Sequence, residues 1–399
     1  MSVQSAMYSG ISGLYTNGEG MSVIGNNISN VNTIGFKQGR ALFSDMLSTT
    51  INQGQIGRGE QIQAVQNIFS QGSFESTGSA TDLAIQGDAM FVLSDAAGQA
   101  RFYSRAGAFT FDKNDALVNP DGYQVLGYGI VNGASNGILG PIDLTNFSSM
   151  APQPTSTVTV TANFDANSTP PAPAWDPALA TFNPYTASNF STSVAYYDAN
   201  GNANSLTLFF RNTGANAWEV NTFDGTTYTA AGGGSPVTFN ANGSLATGTT
   251  FAANGVTIDL TGTTQYTNSS VVYNQTADGY AAGNLTKVTV DDKGYVNGTY
   301  TNGQLMRIAQ VALAKFPSVE GLEKIGGSLF SATAASGSAL ISASNTDNNK
   351  VLSNSLEQSN VDLAEQLVKM IVTQRAYSAN SKTITTSDQM MQDTLNLVR

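Results

Sequence analysis

The sequence predicts a mainly β protein with long α-helical termini: N- and C-terminal helices that pair as a coiled coil, a discontinuous β-domain between them, and a second β-domain inserted in it. Three observations carry this prediction. Apolar residues recur every seven positions at both ends, the pattern of a helix that buries one stripe. Turn formers are abundant, with 40 Gly in 399 residues. Proline is absent before Pro120 and after Pro317, so the middle of the chain obeys different rules from its ends.

From Ser338 to Arg399 there is neither Gly nor Pro, and Leu356, Leu363, Met370, Tyr377, Ile384, Met391 and Val398 occupy one heptad position. The companion seam is mixed, with Leu367 and Leu395 but also Gln374, Ser381 and Asp388. A helix over roughly 352–398 would extend about 70 Å, too long for one face of a compact core. At the other end Met7, Leu14, Met21 and Ile28 keep the same spacing, supported by Val3, Ile11, Ile24 and Val31. Gly10, Gly13, Gly18, Gly20 and Gly25 interrupt this helix, each costing about 0.5–1 kcal/mol relative to Ala. A partner must supply the difference, either the C-terminal helix or the helices of neighbouring copies. The predicted parts are a helical domain of 1–35 and 352–399, a connecting segment at 36–71, a β-domain of 72–147 and 285–351, and an inserted outer β-domain at 148–284.

Between the ends, alternating stretches broken by turn residues read as strands. Asn119-Pro120-Asp121-Gly122 is a strong turn signal, and Asp292-Lys293-Gly294 joins a hairpin. The inserted segment has its own strands, such as Thr157–Phe164, Ser205–Arg211 and Trp218–Phe223, interrupted by Pro170-Pro171-Ala172-Pro173 and Gly232-Gly233-Gly234.

Composition excludes much chemistry. With no Cys and no His there is no disulfide, thiolate nucleophile, imidazole base or zinc site of those ligands. Charged residues are 11% of the chain and the net charge is −11, which argues against a nucleic-acid partner. Between Asp115 and Thr286 ten acids face one base, Arg211, so that segment alone carries −9. No apolar run approaches a membrane span of about 18 residues, so no membrane insertion is expected. The opening MSVQSAMYSG lacks the basic and apolar regions of a cleaved signal. Asp198-Ala199-Asn200-Gly201-Asn202 departs from a calcium loop, with Gly one place early and Phe209 where a bidentate Glu belongs, and reads as a turn. No pair of carboxylates stands out as a glycosidase pair. No catalytic, cofactor-binding or metal-binding residues are expected, and no enzyme.

Ile24-Gly25-Asn26-Asn27-Ile28-Ser29-Asn30-Val31-Asn32-Thr33-Ile34-Gly35-Phe36-Lys37 resembles the N-terminal motif of the axial proteins of the bacterial flagellar rod and hook. Ser359-Asn360-Val361-Asp362-Leu363-Ala364-Glu365-Gln366-Leu367-Val368-Lys369-Met370-Ile371, then Gln374-Arg375-Ala376-Tyr377, resembles the same family's other end. Asp82-Leu83-Ala84-Ile85 and Ser104-Arg105-Ala106-Gly107 also match. The size of the inserted segment points, within this family, to the subunits of the hook. Another axial protein, of the distal rod or hook-associated, is the alternative, and a secreted β-rich adhesin is the alternative from a different class.

The resemblance implies a homo-polymer of many copies in the extracellular flagellum, a flexible tubular joint transmitting torque from rod to filament. It implies the rod at one end, hook-associated junction proteins at the other, and the hook cap and the type III export machinery during assembly. It also implies that Gly35 ends the first helix, unless it is an ordinary turn glycine, and that Asn26, Asn27, Asn30 and Asn32 bond around that helix end. Lys37, Arg40 and Arg58 are then either partners of acids such as Glu357 and Asp362 across subunits or solvated surface charges.

Overall fold

A computed structural model describes residues 3–51, 54–131, 133–214, 216–230, 236–345 and 349–397. Val398 and the Gly232-Gly233-Gly234 run lie outside the described residues. The chain forms two compact units. The first comprises 1–147, 287–298 and 305–399, and the second 148–286 and 299–304.

In the first unit, helix α1 (Val3–Ser29, 27 residues) carries the N-terminal heptads and α2 (Leu363–Leu397, 35 residues) the C-terminal ones. The helix expected from 352 starts at Leu363 instead. Upstream, Lys350–Ser353 and Ser355–Glu357 are strands, paired with Leu83–Gln86 and Phe74–Ser76. Leu356 therefore keeps the heptad phase by coincidence and lies buried in a β-ladder. Asp362 sets the true start, accepting hydrogen bonds from the amides of Ala364 (2.8 Å) and Glu365 (3.1 Å), the N-cap role suited to a short acid. Helix α1 also ends earlier than Gly35, at Ser29. Gly35 sits in the following turn at φ 66°, where a Cβ would collide with the backbone of Ala106. Glycine is required there by the left-handed backbone and the close approach, not by helix termination.

The stretch expected only to connect is a long antiparallel ribbon, β1 (Gly39–Ile51) and β2 (Gly54–Asn67), with register running from Gly39↔Asn67 to Ile51↔Gly54. Three irregularities in that register break the alternation that would announce it in the sequence. The body of the unit is a sheet in the order Leu305–Lys315, Gln124–Val131, Met90–Ser94, Arg101–Ser104, Leu329–Ser331, Glu323–Gly326. Met90–Ser94 is buried along its whole length, as a central strand covered on both faces must be. Its core includes Val92, Tyr103, Ala312, Phe316 and Phe330.

The second unit packs two sheets around one core. A five-stranded sheet is built on Thr157–Asp165, and a six-stranded sheet contains Phe190–Tyr197, Ala203–Gly214 and Ala217–Phe223. Both contribute to one cluster, including Val158, Phe164, Ile258, Phe210, Trp218 and Val220. The Phe164 ring is its centre, with ring centroids at 4.8 Å from Phe210, 4.9 Å from Trp218 and 5.6 Å from Phe239. Phe164→Ala should cost this unit about 3–5 kcal/mol, the usual range for emptying a buried aromatic site. Both tryptophans, Trp175 and Trp218, lie in this unit, so denaturation followed by their fluorescence reads it directly. An unchanged midpoint would contradict the assignment of the core.

Candidate functional site

The two terminal helices run antiparallel. A Cβ on Gly10 would lie 2.9 Å from Ile384 Cγ1, one on Gly13 would collide with the Asn380 amide, and Asn27 Nδ2 donates to Gln366 Oε1 at 3.1 Å. Glycine at 10 and 13 lets the backbones approach, and α2 answers with Ile384 and Asn380. Gln366, Thr373, Asn380 and Ser387 line the buried side together with half-buried Met370, Ile384 and Met391. This corrects the expected companion seam. Leu367 and Leu395 are 45% and 71% exposed, because the seam falls three residues after each heptad position rather than four. Leu363 and Tyr377 also face largely outward. On α1, Ile24 is buried, Met7, Leu14, Met21 and Ile28 are half-buried, and Ile11 is exposed. Val31, past the helix end, is half-buried.

A second side of α1 rests on the ribbon. Thr16 Oγ1 donates to Glu60 Oε1 at 2.7 Å, Asn17 Nδ2 to the same oxygen at 3.3 Å, and the Glu60 amide to Ser12 Oγ at 3.3 Å. Asn27 closes a two-way pair with the Gly39 backbone, donating to its carbonyl at 2.8 Å and accepting from its amide at 2.9 Å. That single buried amide thus joins α1, β1 and α2. Asn30 caps locally, donating from Nδ2 to the Asn26 carbonyl (2.9 Å) and side-chain oxygen (2.8 Å), while Asn32 is exposed.

Beyond the helix, three chain segments meet at one buried carboxylate. Glu357 receives Lys37 Nζ on Oε1 at 2.7 Å and Arg105 Nη1 on Oε2 at 3.2 Å, with the Glu357 and Lys37 side chains sealed from solvent. The Gly72 amide donates to the same Oε1 at 2.9 Å, and the Gly35 amide to the Glu357 carbonyl at 2.8 Å. Lys37 Nζ also donates to the Ser70 carbonyl at 2.7 Å. Burial pulls the Lys37 ammonium below the usual lysine range against the opposing pull of Glu357, and it lowers Arg105 in the same way. Lys37 is therefore neither a cross-subunit partner nor a solvated charge. It closes within its own chain because the turn through Gly35 aims it inward. Arg40, by contrast, is exposed and donates to Gln66 Oε1 at 2.6 Å.

Asn360 continues the join, accepting from the Gln38 amide at 2.8 Å and donating to the Ile68 carbonyl at 2.8 Å. Val361, next in sequence, is buried, the Asn360 backbone amide donates to the carbonyl of buried Phe36 at 3.3 Å, and Lys324 Nζ lies 3.9 Å over the Phe36 ring. Gln374 and Arg375 are exposed. Sequence reasoning missed the pairing of Arg105 and Glu357. The available signal was a lone charge beside apolar strand residues in a chain that carries few charges.

Four family models match this chain: Flagella basal body rod protein at 7–37, Flagellar hook protein FlgE/F/G D1 domain at 84–163, Flagellar basal body protein FlaE D2 domain at 163–280, and Flagellar basal body rod FlgEFG protein C-terminal at 352–397. The chain is similar to the flagellar hook protein FlgE of Escherichia coli, 36% identical over 410 residues that cover 97% of this chain and 98% of that one. It is 32% identical to FlgE of Borreliella burgdorferi, over 98% of this chain and 99% of that one. Against FlgE of Rhizobium meliloti the identity is 32%, with both chains covered completely. The crystal structure of Helicobacter pylori flagellar hook protein FlgE2 shares the fold, with a TM-score of 0.51 at 14% identity, over 69% of this chain and 98% of that one.

Glu357→Gln would leave Lys37 and Arg105 buried without a counter-charge. It should cost the first unit about 3–5 kcal/mol in urea denaturation. Because the folded state holds the Lys37 pKa below 10.5, unfolding takes up a proton in the window between the lowered value and 10.5. Stability relative to Lys37→Met should therefore rise with pH through that window and fall as pH drops back through the folded pKa. Parallel stability curves for the two proteins would contradict the buried ammonium.

Proposed function

The chain belongs to the flagellar hook protein FlgE family, and we propose from this that its exposed terminal stripes are the surfaces on which copies of the hook subunit stack. It is a structural subunit of the hook in the extracellular flagellum, and it works by polymerising. The observation that carries the proposal is the outer face of α2, where Leu367, Val368, Ile371 and Val372 lie together in the open, Val368 and Val372 each 61% exposed. Four apolar side chains at adjacent helical positions are a large patch for a monomer to leave wet. A tube of identical helices covers them.

In this reading the paired termini hold the tube and the outer β-unit accommodates bending. The second unit is rich in Asn, Ser and Thr, whose hydrogen bonds exchange through water at small net cost as neighbours slide. The rod at one end, hook-associated junction proteins at the other, the hook cap and the type III export machinery are the proposed partners in assembly. A marginal, glycine-interrupted α1 and the lack of Cys both suit passage of an unfolded chain.

Two measurements test this reading. Under polymerising conditions, electron microscopy should show tubes for the parent chain and none for Val368→Asp combined with Val372→Asp, and equal tubes would contradict it. The glycines give a finer test. Gly13→Ala collides with Asn380, whereas Gly18 has nothing within 4 Å of the added carbon. Polymers of Gly13→Ala should melt at lower temperature than the parent. Those of Gly18→Ala should melt no lower, because Ala adds about 0.5–1 kcal/mol of helix propensity.

A further inference from the structure

Asn254 and Gly255 turn the hairpin between the strands Thr250–Ala253 and Val256–Asp259 of the second unit. Both have left-handed backbones, at φ 52° and 77°, as a tight two-residue hairpin turn demands, and both are exposed. We propose that Asn254 is a site of spontaneous deamidation, with water as co-reactant, and that its conversion opens a latch between the two sheets of this unit. Polymerisation has no part in it.

The reaction needs a backbone amide free to attack the side chain before it. The Gly255 nitrogen adds to Asn254 Cγ, the Cγ–Nδ2 bond breaks, and ammonia leaves with the Gly255 amide proton, closing a succinimide. Water then opens that ring at either carbonyl, leaving aspartate or isoaspartate at 254. Other Asn-Gly pairs in the chain have the attacking nitrogen engaged. The Gly201 amide donates to the Asp198 carbonyl at 3.0 Å, Gly243 to Asn240 at 2.9 Å and Gly303 to Tyr300 at 3.0 Å. The Gly137 amide donates to Ser135 Oγ at 3.3 Å, while Gly18 lies inside helix α1 and Gly298 inside the strand Tyr295–Tyr300. Asn132 lies outside the described residues. The Gly255 amide has no acceptor among the described residues, and nothing lies within 4 Å of the place a Cβ would take.

The Asn254 side chain reaches from one sheet to the other. Its Nδ2 donates to Tyr196 Oη at 3.2 Å and to Asp224 Oδ2 at 3.4 Å. Tyr196 belongs to Phe190–Tyr197 and Asp224 follows Ala217–Phe223, strands of the six-stranded sheet, whereas the hairpin belongs to the five-stranded one. Hydrogen bonds from the amides and hydroxyls of Thr227 and Thr226 hold the Asp224 carboxyl well below the usual carboxylate range, so it stays ionised. Deamidation replaces the Nδ2 donor by a second carboxylate. The bond to Asp224 becomes a repulsion between like charges, and Tyr196 loses its donor.

Protein held in mildly alkaline buffer and mapped by mass spectrometry should gain the amide-to-acid mass difference first at Asn254, as mixed aspartate and isoaspartate. Gly255→Ala should slow this about tenfold, because a β-carbon restricts the backbone rotation that the attack requires. Asn254→Asp, the aspartate product itself, should lower the urea midpoint of the second unit read by tryptophan fluorescence, and added salt should shrink the deficit. In an Asp224→Asn background the same substitution should cost less, the coupling expected of a contacting pair. An Asn254 that stays intact while other Asn-Gly pairs convert would overturn the site, as would a Gly255→Ala variant that converts as fast as the parent. Equal midpoints, or a deficit unchanged by Asp224→Asn, would overturn the latch.

Discussion

The constraint on which the rest depends is the close approach of α1 to α2 through Gly10 and Gly13. Where a Cβ would strike Ile384 or Asn380, glycine lets the backbones close in, and the seam is Gln366, Thr373, Asn380 and Ser387 interleaved with Met370, Ile384 and Met391 rather than leucine. The leucines and valines of α2 are displaced to the outside. A helix pair that gains little from apolar burial within one chain and carries its leucines and valines outward needs other copies to complete it. The glycines that weaken α1 as an isolated helix are thus the same residues that make its surface useful in an assembly.

Glu357 supplies what that helix pair lacks, a fixed attachment to the β-body. It draws together the segment after α1 through Lys37, the first β-segment through Arg105, and the strand that leads into α2. Two buried cations around one carboxylate contribute less stability than an apolar cluster of the same size, but a misregistered chain would leave those charges unpaired. This selects one register of both termini. Asn27, shared among α1, β1 and α2, repeats the device with neutral groups.

Much of this was legible in the sequence. The heptads of Met7 to Ile28 and Met370 to Met391 gave both helices, and the alternating stretches gave β-structure throughout the middle, because single-face burial imposes a period of seven or two. What was not legible has physical reasons. Leu356 matched the heptad phase while lying in a strand, since a seven-residue spacing does not say how the chain gets from one apolar residue to the next. The ribbon β1–β2 was hidden by its bulges and by its many exposed polar positions. The choice of seam on α2 depends on how closely α1 approaches, which no pattern on α2 alone encodes. Lys37 paired within the chain because of a left-handed turn at Gly35 that the sequence permits but does not announce.

The terminal helices are completed only by neighbouring copies. Amide hydrogen exchange on free subunit and on polymer tests it most directly. Residues 3–29 and 363–397 should be protected in the polymer and exchange rapidly in the free subunit, with the strand Met90–Ser94 protected in both. Equal protection of the helices in the two states would contradict it.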